Sequence, residues 1–395
     1  MSWKTTTIGS VCEVIAGQSP ESSFYNKDGK GLAFYQGKKD FGEKYISDPT
    51  VWTTQITKEA EQGDILMSVR APVGPVNLAT QRICIGRGLA AIRAKNEINK
   101  EYLFYILRKI ESELVGSSGA VFNSINKSQI ASIRIPLPSL ATQHKIVEKL
   151  DAIFAEIDRA TVATEANVKN AEALFQSYLT EVFERGGEGW VTNKLSNLCT
   201  KIGSGATPRG GNESYKSEGI SLIRSMNVYD DGFLYDSLAY IDEAQARALD
   251  NVTVESDDVL FNITGASVAR CCVVPNDVLP ARVNQHVSIL RVIKEKINPN
   301  LLHLLLISKF HKNNFLKVGE SGGTTRQAIT KSQLIDYEIS YPQELKSQNE
   351  LVHTIQEFKS VTNSLKNASV EKLNSFHLMK QSILKQAFSG ELVKE

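Results

Sequence analysis

The chain has 395 residues, of which 42% are hydrophobic and 23% are charged, and its formal net charge is +1. This composition is typical of a soluble protein with two or three globular cores. It excludes a basic tail, and the apolar run at residues 301–307 is too short to span a membrane.

The near-zero net charge conceals local differences. Residues 1–139 carry 17 basic and 13 acidic side chains, which gives 17 − 13 = +4, and residues 140–189 carry 5 and 9, which gives 5 − 9 = −4. Binding to nucleic acid would therefore need local patches or a basic partner.

The cysteines are odd in number and follow no metal-ligand spacing; they are Cys12, Cys84, Cys199, Cys271 and Cys272. Because the opening MSWKTTT has no secretory signal, we expect reduced thiols in a cytoplasmic protein. Cys12 and Cys199 each follow a tryptophan by nine residues, which predicts equivalent core positions.

Residues 1–137 are predicted to form the first globular domain. Its elements are, in chain order, a strand with a turn at 17–20, a polar aromatic loop at 24–42, strands at 63–79 and 82–93, a helix at 100–113, a polar loop at 116–126 and a short element at 127–136.

Residues 138–186 are predicted to form one long helix, because neither proline nor glycine occurs between Pro138 and Gly186. Apolar or small residues recur in steps of three and four, at Ile146, Leu150, Ile153, Ile157, Ala160, Thr164, Ala171, Leu174 and Tyr178. This heptad-like seam on a helix of about 60 Å requires a partner helix.

The second half repeats this design, with a second globular domain at 187–342 and a second long helix at 343–395. The offset between matching residues climbs from 187 at Trp3/Trp190 to 204 at Lys127/Lys331, but stays at 205 along the helices from Gln143/Gln348 onward. Insertions therefore lie in the globular loops. The predicted fold is α+β, with two similar domains separated by two long helices that pack on each other as a coiled-coil spacer, in an internal repeat.

The sequence contains no Walker loop, no zinc-protease motif and no nucleophile elbow. The pairs Glu344/Lys346 and Glu357/Lys359 resemble part of a nuclease site, but they lie on or beside the second long helix, where solvated charges are the better interpretation. No run suited to holding an amino group for methylation is present. A non-enzymatic reader is therefore favoured by elimination.

Reading base edges needs arginine, lysine, asparagine, glutamine or threonine on loops of a rigid scaffold. Candidates in the first domain are Gln36, Lys38, Lys39, Arg70, Arg87, Asn123 and Lys127. Candidates in the second domain are Arg209, Arg224, Asn227, Thr264, Asn284, Gln285, His286, Thr325, Arg326 and Lys331. Arg87 lies between two glycines, which would let the backbone approach a phosphate. Arg93 and Arg291 end strands at equivalent places, where we expect structural ion pairs.

The repeat resembles the specificity subunit of type I restriction–modification systems over essentially the whole chain. The resemblance is carried by GDILMSVR at 63–70, CIGRGLAAIR at 84–93, INKSQIASIRIPLPSLATQHKIVEKLD at 125–151, GGTTRQAITKSQL at 322–334 and MKQSILKQAFSGEL at 379–392.

This resemblance implies two target recognition domains, each reading half of a bipartite DNA target. It implies long antiparallel helices that set the gap between the halves, and an internal pseudo-two-fold repeat that relates the domains. It implies double-stranded DNA, two modification (methyltransferase) subunits and restriction/translocase subunits as partners, and no membrane. Adenine-N6 methylation would belong to the modification subunits. S-adenosylmethionine, ATP and Mg would bind those partners, so the chain would hold no cofactor, no metal and no catalytic residue. The alternatives are a helical interaction adaptor that does not bind DNA and a degenerate nuclease.

Overall fold

The computed structural model describes residues 3–116, 124–208, 210–320 and 328–393. The chain divides into two compact units. Unit 1 comprises the described residues up to Glu165 and from Val370 onward, and unit 2 comprises Ala166–Ser369. Each long helix contributes one part to each unit.

The first half of the chain alternates short strands with few helices. Its elements are β1 Thr5–Thr7, α1 Ile8–Val11, β2 Cys12–Ala16, β3 Tyr25–Asn26, β4 Leu32–Tyr35, β5 Trp52–Thr53, β6 Glu59–Ala60, β7 Ile65–Ser68, β8 Val76–Leu78, β9 Ile83–Ile85, β10 Leu89–Ala94, α2 Lys100–Gly116, α3 Lys127–Ser132, β11 Arg134–Pro136 and α4 Leu140–Arg185. The strands form sheets in the orders β2-β10-β7-β8, β3-β5-β4-β9-β6 and β1-β11.

The second half follows the same plan with extra strands. Its elements are β12 Trp190–Lys194, α5 Leu195–Leu198, β13 Cys199–Ser204, β14 Ile220–Ile223, β15 Val228–Tyr229, β16 Gly232–Phe233, β17 Ala239–Ile241, α6 Glu243–Arg247, β18 Thr253–Val254, β19 Val259–Asn262, β20 Cys271–Val273, β21 Ala281–Val283, β22 Val287–Val292, α7 Pro299–Ile307, α8 Lys309–Glu320, α9 Lys331–Ile335, β23 Glu338–Pro342 and α10 Leu345–Ser389.

The two halves share one topology. The sheet β13-β22-β19-β20 repeats the order of β2-β10-β7-β8, and β12 pairs with β23 as β1 pairs with β11. The central parallel pair is also repeated, because β4 runs parallel to β9 and β14 runs parallel to β21. The prediction of an α+β fold with two similar globular domains is confirmed.

Equivalent ion pairs lie inside both units, as expected from the sequence. The Arg93 guanidinium contacts the Asp64 carboxylate at 2.7 Å, and Asp64 is 5% exposed. Arg291 contacts Asp258 at 2.8 Å, and Asp258 is fully buried. In both units the pair joins the last part of a central strand (β10 or β22) to the start of its neighbour.

A buried glutamine anchors the start of each long helix. The Gln143 side-chain amide donates to the carbonyls of Pro138 and Glu97 and accepts from the Asn99 backbone N–H. Gln348 makes the same three bonds in unit 2, to Pro342, Lys296 and Asn298. Each glutamine therefore ties its helix to the loop that precedes α2 or α7.

The long helices have 46 and 45 residues and end at glycines in the left-handed region, Gly186 (φ 62°) and Gly390 (φ 86°). The predicted seam is correct from Ile146 to Ala171, where all seven of its positions are buried or half-buried. It is wrong at Leu174, which is 50% exposed, because the buried stripe passes through Phe175, Leu179 and Phe183 instead.

The two long helices pack antiparallel within each unit. In unit 1, the Lys380 ammonium of α10 lies 5.8 Å from the Phe154 ring of α4 and also pairs with Glu43 and Asp158. In unit 2, the Lys359 ammonium of α10 lies 5.8 Å from the Phe175 ring of α4 and pairs with Asp231. Each lysine thus joins both helices to a globular loop.

All five cysteines are buried free thiols, and Cys12 and Cys199 occupy equivalent first positions of β2 and β13. Burial raises the pKa of both of these thiols to about 12. Among the helices of the described residues, none combines the length and the apolar character needed to cross a bilayer.

A buried histidine in unit 2 is expected to make stability depend on pH. The ring of His311 is bonded to the Tyr337 hydroxyl at 2.7 Å, and burial lowers the pKa of His311 from 6.5 to about 4. As pH falls, the His311 imidazole becomes protonated in the unfolded chain before it does so in the folded chain. The folded state therefore has its full stability above pH 6.5 and loses stability as pH falls towards 4. At pH 5 the loss is about 2 kcal/mol for one such group.

Urea unfolding of the wild type and of His311→Gln at pH 7 and pH 5 measures this effect. The variant should lose about 2 kcal/mol less than the wild type over this interval. His353→Gln, on an exposed face of α10, is the matched control and should behave as the wild type does. Equal losses in the wild type and His311→Gln would contradict the assignment.

Candidate nucleic-acid interface

In unit 1, four segments of the chain meet where strands β4, β7 and β9 end. Backbone N–H groups join them: Gly86 donates to Tyr35 (2.8 Å), Val69 to Gly88 (3.0 Å) and Ile125 to Val69 (3.0 Å). The side chains that follow these strand ends are Gln36, Arg70, Arg87 and Ser124. We call these four residues the strand-end surface of unit 1.

The same hydrogen bonds recur in unit 2. Asn284 donates to Ile223 (3.0 Å), Ile263 to His286 (3.0 Å) and Ile329 to Ile263 (2.8 Å). Lone β-bridges also match, with Arg70 opposite Ser124 and Thr264 opposite Ala328. The strand-end surface of unit 2 is therefore Arg224, Thr264, Gln285 and Ala328, equivalent in that order to the four residues of unit 1.

A turn before each surface packs on its centre. The backbone N–H of Arg87 donates to the Ser19 hydroxyl at 3.2 Å, and the equivalent Thr207 hydroxyl donates to the Gln285 side chain. Gly17 lets this turn approach the Gly86 backbone closely, since a Cβ at residue 17 would lie 2.2 Å from the Gly86 carbonyl oxygen. The turns thus fix the position of the residue at the centre of each surface.

The glycines beside Arg87 serve a packing role in the structure. A Cβ on Gly88 would lie 2.3 Å from the Gln36 carbonyl oxygen, and one on Gly86 would lie 3.0 Å from the Phe34 ring. The close approach that these glycines permit is therefore to the end of β4. It holds Arg87 and Gln36 side by side.

The candidate side chains of the first domain are exposed where the structure describes them. Arg70 and Arg87 lie on the strand-end surface with Gln36, and Lys38 and Lys39 occupy a 3-10 turn just after β4. Lys127 is the first residue of α3, which Asn126 and Gln129 cap reciprocally. Lys331 begins α9 in the same way, after Thr330. Asn123 lies outside the described residues.

Two candidates of the second domain hold loops together. Asn227 is fully buried, and its side chain accepts from the Arg224 backbone N–H and donates to the Leu234 carbonyl. Asn284 is 5% exposed and accepts from the His286 backbone N–H. Neither amide faces solvent.

Arg224 is half-buried. Its guanidinium donates to the Ser237 carbonyl and lies 5.3 Å from the Tyr215 ring. Arg209, Thr325 and Arg326 lie outside the described residues.

A chain of side-chain hydrogen bonds crosses the strand-end surface of unit 2. The Thr207 hydroxyl donates to Gln285, the Gln285 Nε2 lies 3.0 Å from His286 Nε2, and His286 Nδ1 lies 2.5 Å from Thr264 Oγ1. Gln285 is exposed, and Thr264 and His286 are half-buried. The network holds three candidate residues in fixed orientations.

Sequence reasoning missed a concave part of this surface. It is a groove of about 560 Å³, lined by Met226, Tyr229, Thr264, Arg270 and His286. The Arg270 guanidinium lies 4.5 Å from the Tyr229 ring. Tyr229 lies in β15, which has no equivalent strand in unit 1, and Arg270 is equivalent to Pro75 of unit 1. The repeat therefore gave no signal for either side chain.

Within the ranges that the structure describes, no group of three or more histidine, cysteine, aspartate or glutamate side chains could hold a metal ion. The surfaces described above offer hydrogen-bond donors, acceptors and positive charge. Their arrangement is suited to binding a polar polymer.

Comparison with known proteins places this architecture in a family. The chain is 45% identical to a putative type I restriction enzyme specificity subunit, MjaX, from Methanocaldococcus jannaschii, aligning 38% of this chain with 36% of that protein. It is 24% identical to the MjaIX specificity subunit of the same organism, over 69% of each protein. The chain thus spans little more than a third of the MjaX relative in this alignment.

One solved chain, from "Structural basis underlying complex assembly and conformational transition of the type I R-M system", matches with a TM-score of 0.74 and 21% identity, covering 99% of this chain and 98% of that one. This likeness supports the fold. The family model described as "Type I restriction modification DNA specificity domain" matches residues 1–169 and 187–375. With both halves matched in this way, the chain belongs to the family of type I restriction–modification DNA specificity proteins.

Proposed function

We propose that this chain is the sequence-specific DNA-binding subunit of a type I restriction–modification complex. The observation that carries the proposal is the strand-end surface, which is built twice from the same backbone hydrogen bonds and has polar or cationic side chains at all of its positions except Ala328. Arginine, glutamine and threonine on such loops suit contacts to base edges, and the neighbouring lysines suit contacts to phosphates.

Two similar readers on one chain suit a bipartite target. We assign one half-site to the recognition domain at 1–137 and the other to the domain at 187–342. The spacer helices at 138–186 and 343–395 set the gap of unread base pairs between the half-sites. At about 1.5 Å per residue, a helix of 46 residues is about 70 Å long, or about two turns of B-DNA.

We assign methylation and DNA cleavage to partner subunits, because the chain belongs to the family of specificity proteins. Two modification subunits that methylate adenine at N6 with S-adenosylmethionine dock on this chain, and restriction/translocase subunits that use ATP and Mg join them. The chain itself supplies specificity, with no catalytic residue and no cofactor, and it acts in the cytoplasm.

Exchange of one recognition domain tests the proposal. The chain is assembled with its modification subunits, and the methylated sequences are identified by sequencing DNA after reaction. Replacing residues 1–135 with the domain of another family member should change one half of the target and leave the other half intact. Binding should also weaken steeply with salt. Methylation or binding without any sequence preference in the wild-type complex would overturn the proposal in favour of an adaptor.

The same assay tests the spacer. Adding seven residues to each long helix at equivalent positions, after Ala163 and after Ala368, preserves the heptad register and lengthens the pair by about 10 Å. The preferred gap should grow by about three base pairs. Unchanged preference for the original gap would contradict the spacer role.

A further inference from the structure

The two strand-end surfaces differ in chemistry at equivalent positions. Unit 1 presents the guanidinium groups of Arg70 and Arg87, and unit 2 presents the Thr264 hydroxyl and the Gln285 amide at the same places. A guanidinium group only donates hydrogen bonds and is always charged, whereas an amide both donates and accepts and is neutral. The units therefore offer different partners to a base.

The hydrogen bonds around Gln285 fix what its amide presents. Its Oε1 accepts from Thr207 and its Nε2 donates to His286 Nε2, which must then carry no proton. The imidazole proton lies on Nδ1 and is donated to Thr264 Oγ1 at 2.5 Å. Gln285 keeps one N–H and one oxygen lone pair for a ligand, and Thr264 keeps its hydroxyl hydrogen.

These groups match different base edges in the major groove. Guanine presents two acceptors, N7 and O6, which suit the parallel N–H groups of an arginine. Adenine presents one acceptor and one donor, N7 and the N6 amino group, which suit the free acceptor and donor of a glutamine. The backbone hydrogen bond of Arg87 fixes the point from which its side chain extends, and the side-chain hydrogen bonds of Gln285 fix the orientation of its amide before DNA arrives.

We propose that Arg87 specifies a guanine in the half-site read by unit 1 and that Gln285 specifies an adenine in the half-site read by unit 2. This inference rests on the DNA-reading function proposed above and assigns base chemistry to its two surfaces. The positive charge of Arg70 and the neutral hydroxyl of Thr264 extend the same difference beyond the central residue.

The test uses the full chain assembled with its modification subunits and a DNA library in which each target position is varied singly. Methylation is measured for the wild type, Arg87→Gln, Gln285→Arg and Gln285→Glu. Arg87→Gln should reduce the preference for guanine at one position by roughly 5- to 150-fold and raise that for adenine. Gln285→Arg should replace adenine by guanine in the other half-site, and Gln285→Glu should favour cytosine, whose amino group donates.

Arg82→Gln is the matched control, because Arg82 precedes β9 at its opposite end and pairs with Glu59. It should leave every preference unchanged. If Arg87→Gln and Gln285→Glu methylate the original target with unchanged base preference, or if both alter the same half-site, the inference is overturned while the proposed function stands. If the wild-type complex shows no base preference, the proposed function itself fails.

Discussion

Replacing Arg291 with alanine is expected to lower the free energy of unfolding of unit 2 by about 3–5 kcal/mol. Arg291 donates to both oxygens of Asp258, at 2.8 and 2.9 Å, and to the Thr253 carbonyl at 2.8 Å. Asp258 is fully buried. Without the guanidinium group its carboxylate would remain charged in a site that water does not reach, and this desolvation is the main cost.

Chemical denaturation monitored by circular dichroism measures this loss. Arg93→Ala is the matched variant in unit 1 and should cost less, because the Arg93 side chain is 36% exposed against 21% for Arg291. Lys294→Ala removes an exposed ion pair with Asp257 and should leave the stability nearly unchanged, because solvent screens this pair. Equal effects for Arg291→Ala and Lys294→Ala would show that burial does not control the energy of these pairs.

Replacing Gln348 with alanine is expected to destabilise the junction between α10 and unit 2 by about 3 kcal/mol. The substitution leaves the Asn298 N–H and the carbonyls of Lys296 and Pro342 without their partner in a buried site. Each unsatisfied buried group costs about 1–3 kcal/mol, and partial relaxation recovers some of this. Gln348→Glu should also destabilise, because a carboxylate cannot donate to two carbonyls.

Gln143→Ala makes the same change at the start of α4, and its cost should match that of Gln348→Ala. Gln356→Ala, on an exposed face of α10, is the control and should be close to neutral. Thermal denaturation of the wild type and of these four variants measures the differences in stability. A neutral Gln348→Ala variant would mean that water replaces the glutamine at no cost.

The repeat and its long helices could be predicted because they depend on periodicity and spacing. The constant offset identified Gln143 and Gln348 as equivalent, and the matched strand ends identified the ion pairs of Arg93 and Arg291. Two of the three bonds made by each glutamine could not be predicted, since their partners are backbone groups 44–52 residues away along the chain. Sequence spacing carries no information on such contacts.

The interface was harder to predict, because residue type does not show whether a side chain faces solvent. Asn227 and Gln285 have the same amide group, but one is buried within its own loop and the other is exposed. The prediction that Leu174 is buried was wrong for a related reason. Steps of three or four residues fit either of two adjacent helix faces, one with Leu174 and one with Phe175, and it is Phe175 that contacts the other long helix. Tyr229 lies in a strand that unit 1 lacks, and Arg270 stands where unit 1 has Pro75, so comparison of the halves indicates neither side chain.

The lysine–aromatic contacts between the long helices discriminate between like and unlike partners. The offset of 205 residues makes Phe154 equivalent to Lys359 and Phe175 equivalent to Lys380. Two copies of the C-terminal helix laid together would oppose Lys359 to Lys380, and their ammonium groups would repel. One copy of each helix instead sets an ammonium group over a ring. Pairing of two C-terminal long helices is thereby disfavoured relative to pairing of one C-terminal with one N-terminal long helix.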